Sequence, residues 1–184
     1  PSEMCIRDRR WLVGILIPEL SCANEMARHT TQKTLELLAR LTECRVRDLL
    51  EPQRDRLLLP IFTKPLRALP FGMQIGHIDA VTYTLTLTPP LPAFNEELFR
   101  VLTEALALAD AEDQALMGRT VLYKNIMAVT KLRVVAIELL AAAMQCQEFQ
   151  GPEHGATRMR IISVYFKCLY SQSEEVRLLY TSLM

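Results

Sequence analysis

Apolar residues recur every three or four positions along most of the chain, and this spacing constrains the fold more than any other feature. The clearest stripes are Leu35, Leu38 and Leu41; Leu98, Val101, Leu102, Ala105 and Leu108; and Ile161, Ile162, Tyr165, Phe166 and Leu169. A period of 3.6 residues places such side chains on one face of an α-helix. The 184 residues are 50% hydrophobic and 7% aromatic, a composition that suits a leucine-rich helical core. We therefore predict an all-α fold.

Capping residues and prolines divide the pattern into helices that form three pairs. The pairs join residues 31–44 with 46–59, 73–88 with 96–109, and 131–147 with 158–170. The predicted N-caps are Thr30, Asn95, Thr130 and Thr157, whereas Pro52 should interrupt a helix and Pro60 should end it. Successive pairs start about 42 and 58 residues apart, which approaches the repeat length of HEAT and armadillo arrays if residues 110–130 are an insert. We predict an α-solenoid of HEAT-like antiparallel helix pairs, with a closed six-helix bundle as the alternative.

One segment carries conflicting signals. Residues 81–88 alternate apolar and polar side chains, which alone is typical of a β-strand. The apolar positions Ile75, Ile78, Val81 and Leu85, however, also follow helical spacing. No second strand is apparent in the sequence, and a lone strand would leave its backbone groups unpaired. We predict a helix with Val81 and Leu85 buried against the 96–109 helix and with Thr82 and Thr86 toward solvent or the next hairpin.

The two ends differ in character from the rest of the chain. The sequence does not begin with methionine, and its first nine residues, like Arg177–Ser182, resemble translated sequencing adapters. We expect a fragment in which residues 11–176 are a HEAT-like repeat segment and residues 1–10 and 177–184 are non-native flanks. The apolar run Trp11–Ile17 precedes Pro18 and is too short to span a bilayer, and a secretory signal peptide is the less favoured interpretation.

Cysteine and histidine residues do not form a recognisable metal site. The five cysteines are widely spaced and contain no CxxC pair, which favours free thiols in a reducing compartment. Cys146, His154 and Cys168 are spaced 8 and 14 residues apart, unlike a zinc finger, and both cysteines lie on apolar helix faces. We predict buried thiols and no bound metal.

No catalytic or nucleotide-binding motif is apparent either. His77 and Asp79 would lie on different sides of a helix without a nucleophile, so His77 is interpreted as a helix-surface or hairpin-interface residue. Gly72 and Gly76 lack the spacing of a phosphate-binding loop. We predict no catalytic residues, no cofactor and no small-molecule ligand, and we expect that the chain is not an enzyme.

Charge is balanced overall but unevenly distributed. Lys plus Arg and Asp plus Glu number 21 each, which gives no global field for nucleic acid or an anionic membrane. Between residues 96 and 113 the acidic side chains are Glu96, Glu97, Glu104, Asp110, Glu112 and Asp113, and the bases that follow are Arg119, Lys124, Lys131 and Arg133. Such neighbouring ridges can steer protein partners, although ordinary solvated surfaces are the simpler interpretation.

Several strings in a fixed order resemble one known family. They are Glu51–Asp55, Leu58–Phe62, Leu69–Pro70, Gln74–Gly76, Phe94–Leu98, Glu104–Asp113 and Leu132–Val134. Together they resemble the HEAT-repeat region of the transformation/transcription domain-associated protein family, across residues 31–176. The resemblance implies a segment of a very large pseudokinase related to the phosphatidylinositol 3-kinases. The α-solenoid of that pseudokinase scaffolds SAGA-type histone acetyltransferase complexes and presents a surface to transcription activators.

The same resemblance sets the expected partners and location. Implied partners are protein subunits of histone acetyltransferase complexes and transcription activators, and the implied location is the nucleus. From the balanced charge and the lack of a long apolar run we expect no direct contact with nucleic acid or membrane. The kinase-like domain of the family would lie outside this chain. The alternative is a HEAT-repeat segment of an active phosphatidylinositol 3-kinase-related kinase or of a transport receptor.

Overall fold

The computed structural model describes residues 3–111 and 123–169, where all regular structure is helical. The α-helices are α1 (Glu3–Leu16), α2 (Glu25–Leu41), α3 (Val46–Leu50), α4 (Arg54–Thr63), α5 (Phe71–Leu85), α6 (Glu96–Asp110), α7 (Tyr123–Gln145) and α8 (Gly155–Leu169). Short 3-10 helices occupy Ile17–Ser21, Glu51–Gln53, Leu66–Ala68, Gln147–Gln150 and Pro152–His154. No strand occurs in these ranges, and the predicted all-α class is confirmed. The chain divides into two units, residues 1–93 and 94–184.

The 3-10 helix at Ile17–Ser21 organises the first unit. It contacts α1, α2, α4 and α5, and Pro18 lies in its first turn. Ile17 and Leu20 are buried at this junction. This short helix, which begins at the last residue of the apolar run Trp11–Ile17, therefore forms part of the core of this unit.

Helix α2 begins six residues before the predicted start. Asn24, and not Thr30, is its N-cap, because the Asn24 side chain accepts hydrogen bonds from the backbone N–H groups of Met26 (3.0 Å) and Ala27 (3.3 Å). At the other end Glu43 adopts a left-handed conformation with φ of 52°. The backbone N–H of Cys44 donates a hydrogen bond to the Ala39 carbonyl at 3.0 Å, and this bond completes a Schellman motif.

The two prolines of the following region behave differently. Pro52 lies in a 3-10 turn between α3 and α4, so the predicted interruption is confirmed. Pro60 does not end its helix, because α4 continues through it to Thr63. Pro60 has no backbone N–H, so the helix loses one hydrogen bond there. Ile61 and Phe62 are buried just beyond it, and this packing stabilises the last turn. The predicted end at Pro60 is wrong because tertiary burial outweighs the local cost.

The ambiguous segment is helical, as predicted. Helix α5 runs over Phe71–Leu85, with Val81 and Leu85 buried and Thr86 exposed. Thr82 is half-buried, and its hydroxyl donates to the Ile78 carbonyl at 2.9 Å. Thr84 is buried, and its hydroxyl bonds back to helix carbonyls in the same way. The alternating threonines are therefore compatible with a helix, because their polar groups are satisfied within it.

The second unit begins with a helix whose start is confirmed. The Asn95 side chain accepts a hydrogen bond from the Leu98 N–H at 3.1 Å, and the rings of Phe94 and Phe99 meet edge to face with centroids 6.2 Å apart. The first contact is the predicted N-cap, and the second is a hydrophobic staple. Helix α6 packs mainly along α7, and α8 contacts both of them.

Two other predicted helix starts are wrong. Helix α7 begins at Tyr123 and α8 at Gly155, so Thr130 and Thr157 lie inside helices and cap neither of them. Helix α7 is packed on more than one side, since its buried residues surround most of its circumference: Val129, Leu132, Val135, Ala136, Ile137, Leu139, Leu140, Ala142 and Ala143.

The predicted helix pairs hold only in part. The two helices assigned to a 73–88 and 96–109 hairpin belong to different units. In its own unit α5 packs against the 3-10 helix at Ile17–Ser21, and α6 takes α7 as its main neighbour. The pairing of 131–147 with 158–170 corresponds to α7 and α8, which do contact each other. The proline-rich residues 89–92 immediately precede the boundary between the two units, so adjacency in the sequence did not place α5 and α6 in one unit.

Candidate protein-interaction surface

A buried arginine links helices α2 and α5 of the first unit. Arg28 lies on the inner face of α2, and its Nε is 2.7 Å from Asp79 Oδ2 on α5. Its Nη1 donates to the carbonyl oxygen of Cys22 at 2.8 Å. The Arg28 side chain is 3% exposed and that of Asp79 is 30% exposed. Its burial could have been inferred from the sequence: Arg28 continues the series Thr31, Leu35 and Ala39 at helical spacing, and all four residues are buried. Our sequence analysis did not use this signal.

Gly76 has a packing role in the same place. A Cβ atom built on Gly76 would lie 2.3 Å from the Cys22 carbonyl oxygen and 2.5 Å from that of Ser21. Gly72, by contrast, faces the Ala23 side chain, 3.1 Å from such a Cβ atom. Because neither glycine has a Cβ atom, the turn after the 3-10 helix can approach α5 closely.

His77 is buried, so the helix-surface alternative of its prediction is wrong, and the hairpin-interface alternative stays a prediction. Burial lowers the pKa of the His77 imidazole, and the nearby positive charge of Lys64 lowers it further. The Nδ1 atom of His77 has no hydrogen-bond partner in the described part of the chain. Asp79 is paired with Arg28. The lowered pKa favours the neutral form of this buried imidazole.

The residues considered for zinc binding each have another environment. Cys146 and Cys168 are buried, and burial raises the pKa of both thiols, which disfavours the thiolate that zinc requires. The Cys146 thiol donates to the Ala142 carbonyl at 3.3 Å. The described residues contain no group of three or more His, Cys, Asp or Glu side chains positioned to hold a metal ion.

His154 belongs to an aromatic cluster with Phe94, Phe99 and Phe149. Its ring centroid lies 4.5 Å from that of Phe99 and 5.4 Å from that of Phe149, which is fully buried. The loop that carries Phe149 is fixed by Arg158, whose Nη1 donates at 2.6 Å to the carbonyls of Phe149 and Gly151. The rings pack on one another, and the cluster anchors the loop between α7 and α8.

The acidic and basic stretches are partly used within the second unit. Asp110 pairs with Lys167 of α8 at 2.5 Å, and Arg133 Nη2 donates to the Ala109 carbonyl at 3.4 Å. A guanidinium group at the C-terminal end of α6 suits the helix dipole. Glu96 and Glu97 remain exposed at the N-terminal end of α6. The side chains of Glu112, Asp113, Arg119 and Lys124 lie outside the described residues.

Exposed apolar side chains provide the best candidates for protein contacts. On α8 the outward face carries Met159 (66% exposed) and Phe166 (55% exposed), with half-buried Ile162 between them. Phe166 was predicted to face inward with Ile161 and is instead on the outside. On α2 the outward residues Leu37 and Leu41 are 57% and 74% exposed. Groups of large apolar residues at the surface are typical of contact sites for other protein segments.

A shallow cavity in the first unit adds no chemistry. It has a volume of about 190 Å³ and is lined by Arg9, Arg10, Val13, Asp48, Leu49 and Pro52. Asp48 is already paired with Arg45, with Nη2 and Oδ1 2.9 Å apart, and this contact lowers the pKa of Asp48. In the described ranges no helix has both the length and the apolar character needed to cross a membrane.

Comparison with known proteins identifies the family of this chain. A family model described as the Tra1 HEAT repeat ring region matches residues 3–182. The chain belongs to the Tra1 HEAT repeat ring family. The all-α structure is accordingly a HEAT-like helical-repeat segment, and the solenoid class is preferred to the closed bundle. The placement of the flanks at residues 1–10 and 177–184 stays a prediction, and residues 177–184 lie outside the described ranges.

Curated relatives support membership of the Tra1 ring family. The SAGA complex/NuA4 acetyltransferase complex subunit Tra1 of Schizosaccharomyces pombe is 46% identical over 160 residues, which are 86% of this chain. The subunit of the same description from Saccharomyces cerevisiae is 43% identical over 164 residues, or 88% of this chain. The human transformation/transcription domain-associated protein is 31% identical over 169 residues, also 88% of this chain. The chain spans 4% of the length of each of these relatives.

Proposed function

We propose that this chain is a non-catalytic scaffold segment of a large transcription coactivator subunit. The observation that carries the proposal is the match to the Tra1 HEAT repeat ring family, together with relatives described as SAGA and NuA4 acetyltransferase complex subunits. Helical repeats bury a continuous core between neighbouring hairpins and leave long outer faces for partners. The exposed apolar groups on α2 and α8 suit such a role.

The proposal includes the absence of enzymatic activity. The residues considered for chemistry have structural surroundings: His77 is packed in the core, Asp79 pairs with Arg28, and Cys146 and Cys168 are buried thiols. In this proposal the full-length protein is a pseudokinase whose kinase-like domain lies elsewhere in the polypeptide. It works in the nucleus, where its proposed partners act on chromatin.

The proposed partners are protein subunits of histone acetyltransferase complexes, with transcription activators as recruiting partners. The support is again the description of the yeast relatives as subunits of such complexes. The balanced charge of 21 basic and 21 acidic residues gives no reason to add nucleic acid as a direct partner. No cofactor, membrane or small-molecule ligand forms part of the proposal.

The decisive experiment is affinity purification of the full-length protein that contains this chain, followed by mass spectrometry. We expect acetyltransferase subunits among its companions. Cross-linking through the exposed amines of Lys33, Lys64 and Lys167 would then test whether this segment lies close to another subunit or an activator. Recovery of the intact protein without any acetyltransferase subunit would overturn the proposal, whereas cargo proteins as companions would favour the transport-receptor alternative.

The active-kinase alternative can be distinguished from the scaffold proposal by the sequence of the full-length protein. An active kinase of the same superfamily would carry, elsewhere in the full-length polypeptide, the ATP-anchoring lysine and the two catalytic aspartates that phosphoryl transfer requires. A scaffold pseudokinase is expected to lack at least one of them. Intact catalytic residues combined with phosphoryl transfer by the purified protein would replace the non-catalytic proposal with the kinase alternative.

A further inference from the structure

We draw no further inference here: the strongest candidate, the outward apolar face of α8 around Met159 and Phe166, carries none because nothing in the structure shows what covers it.

Discussion

Replacing Gly76 with alanine would push a methyl group into the backbone that follows the 3-10 helix at Ile17–Ser21. The new Cβ atom would lie 2.3 Å from the carbonyl oxygen of Cys22 and 2.5 Å from that of Ser21, closer than real Cβ contacts come. These are backbone atoms and cannot rotate away as the end of a side chain could. The Cys22 carbonyl is also held by Arg28 at 2.8 Å. The substitution must therefore move the turn away from α5.

Two opposing effects decide the change in the free energy of unfolding. Alanine is favoured over glycine inside a helix by about 0.5–1 kcal/mol. Against this, forcing extra atoms into a packed site costs about 1–3 kcal/mol. Moving the turn also loosens Ile17 and Leu20, each of whose burial is worth about 1.5–3 kcal/mol. We expect Gly76→Ala to destabilise the first unit by about 2–4 kcal/mol, because only part of that burial is lost.

Urea denaturation of the 184-residue chain, followed by circular dichroism at several protein concentrations, measures this effect. Gly14→Ala is the matched control, because Gly14 is also buried in a helix but its new Cβ atom would meet only movable side-chain ends, that of Arg56 at 3.1 Å and that of Gln53 at 3.8 Å. The control should be neutral or slightly stabilising. If Gly76→Ala is as stable as the unmodified chain or more stable, the close approach of the turn to α5 is wrong.

Four further outcomes can be measured, three of them by the same denaturation assay. Arg28→Met should cost about 2–4 kcal/mol because it leaves the partly buried carboxylate of Asp79 without its partner, whereas Arg45→Met, at an exposed ion pair, should leave stability almost unchanged. Equal losses for the two variants would contradict the reasoning. Because the pKa of His77 is lowered in the folded chain, the unfolded chain binds this proton at a higher pH. Stability should therefore hold above the ordinary pKa of 6.5 and fall below it, by at most about 1.4 kcal/mol per pH unit. His77→Leu should remove this pH dependence, and an unchanged pH profile would count against the reasoning. Glu43→Gly should stabilise by about 0.5–1 kcal/mol because glycine accepts the positive φ more readily, and a loss of stability would refute that account. The chain should show concentration-dependent size in analytical ultracentrifugation that Phe166→Gln reduces, and an unchanged size distribution would exclude that face as the contact.

The sequence predicted those features that depend on neighbours along the chain. The start of α6 was readable because Asn95 bonds to a backbone group three residues away and Phe94 reaches Phe99 across one turn. The helical state of α5 was also readable, since a lone strand could not satisfy its backbone groups. Asn24 was a comparable signal that we passed over in favour of Thr30.

The candidate surface was less predictable than the fold. Helical spacing identifies which residues share a stripe, but it does not say which edge of a wide stripe is covered. Phe166 and Ile161 belong to one apolar series, yet Ile161 is buried and Phe166 is 55% exposed. That difference depends on where α6 and α7 lie around α8, and no local pattern encodes those positions.

By itself the sequence determined the helical class, the break at Pro52, the cap at Asn95 and the resemblance to a HEAT-repeat family, because periodicity and capping act over a few residues. Only the tertiary structure decided that α4 continues past Pro60, that Arg28 meets Asp79 across 51 positions, and that a short 3-10 helix contacts four others. Those outcomes depend on burial between segments far apart in the chain. The free energy of such burial exceeds local propensities of about 1 kcal/mol or less per residue, so packing decides wherever the two disagree.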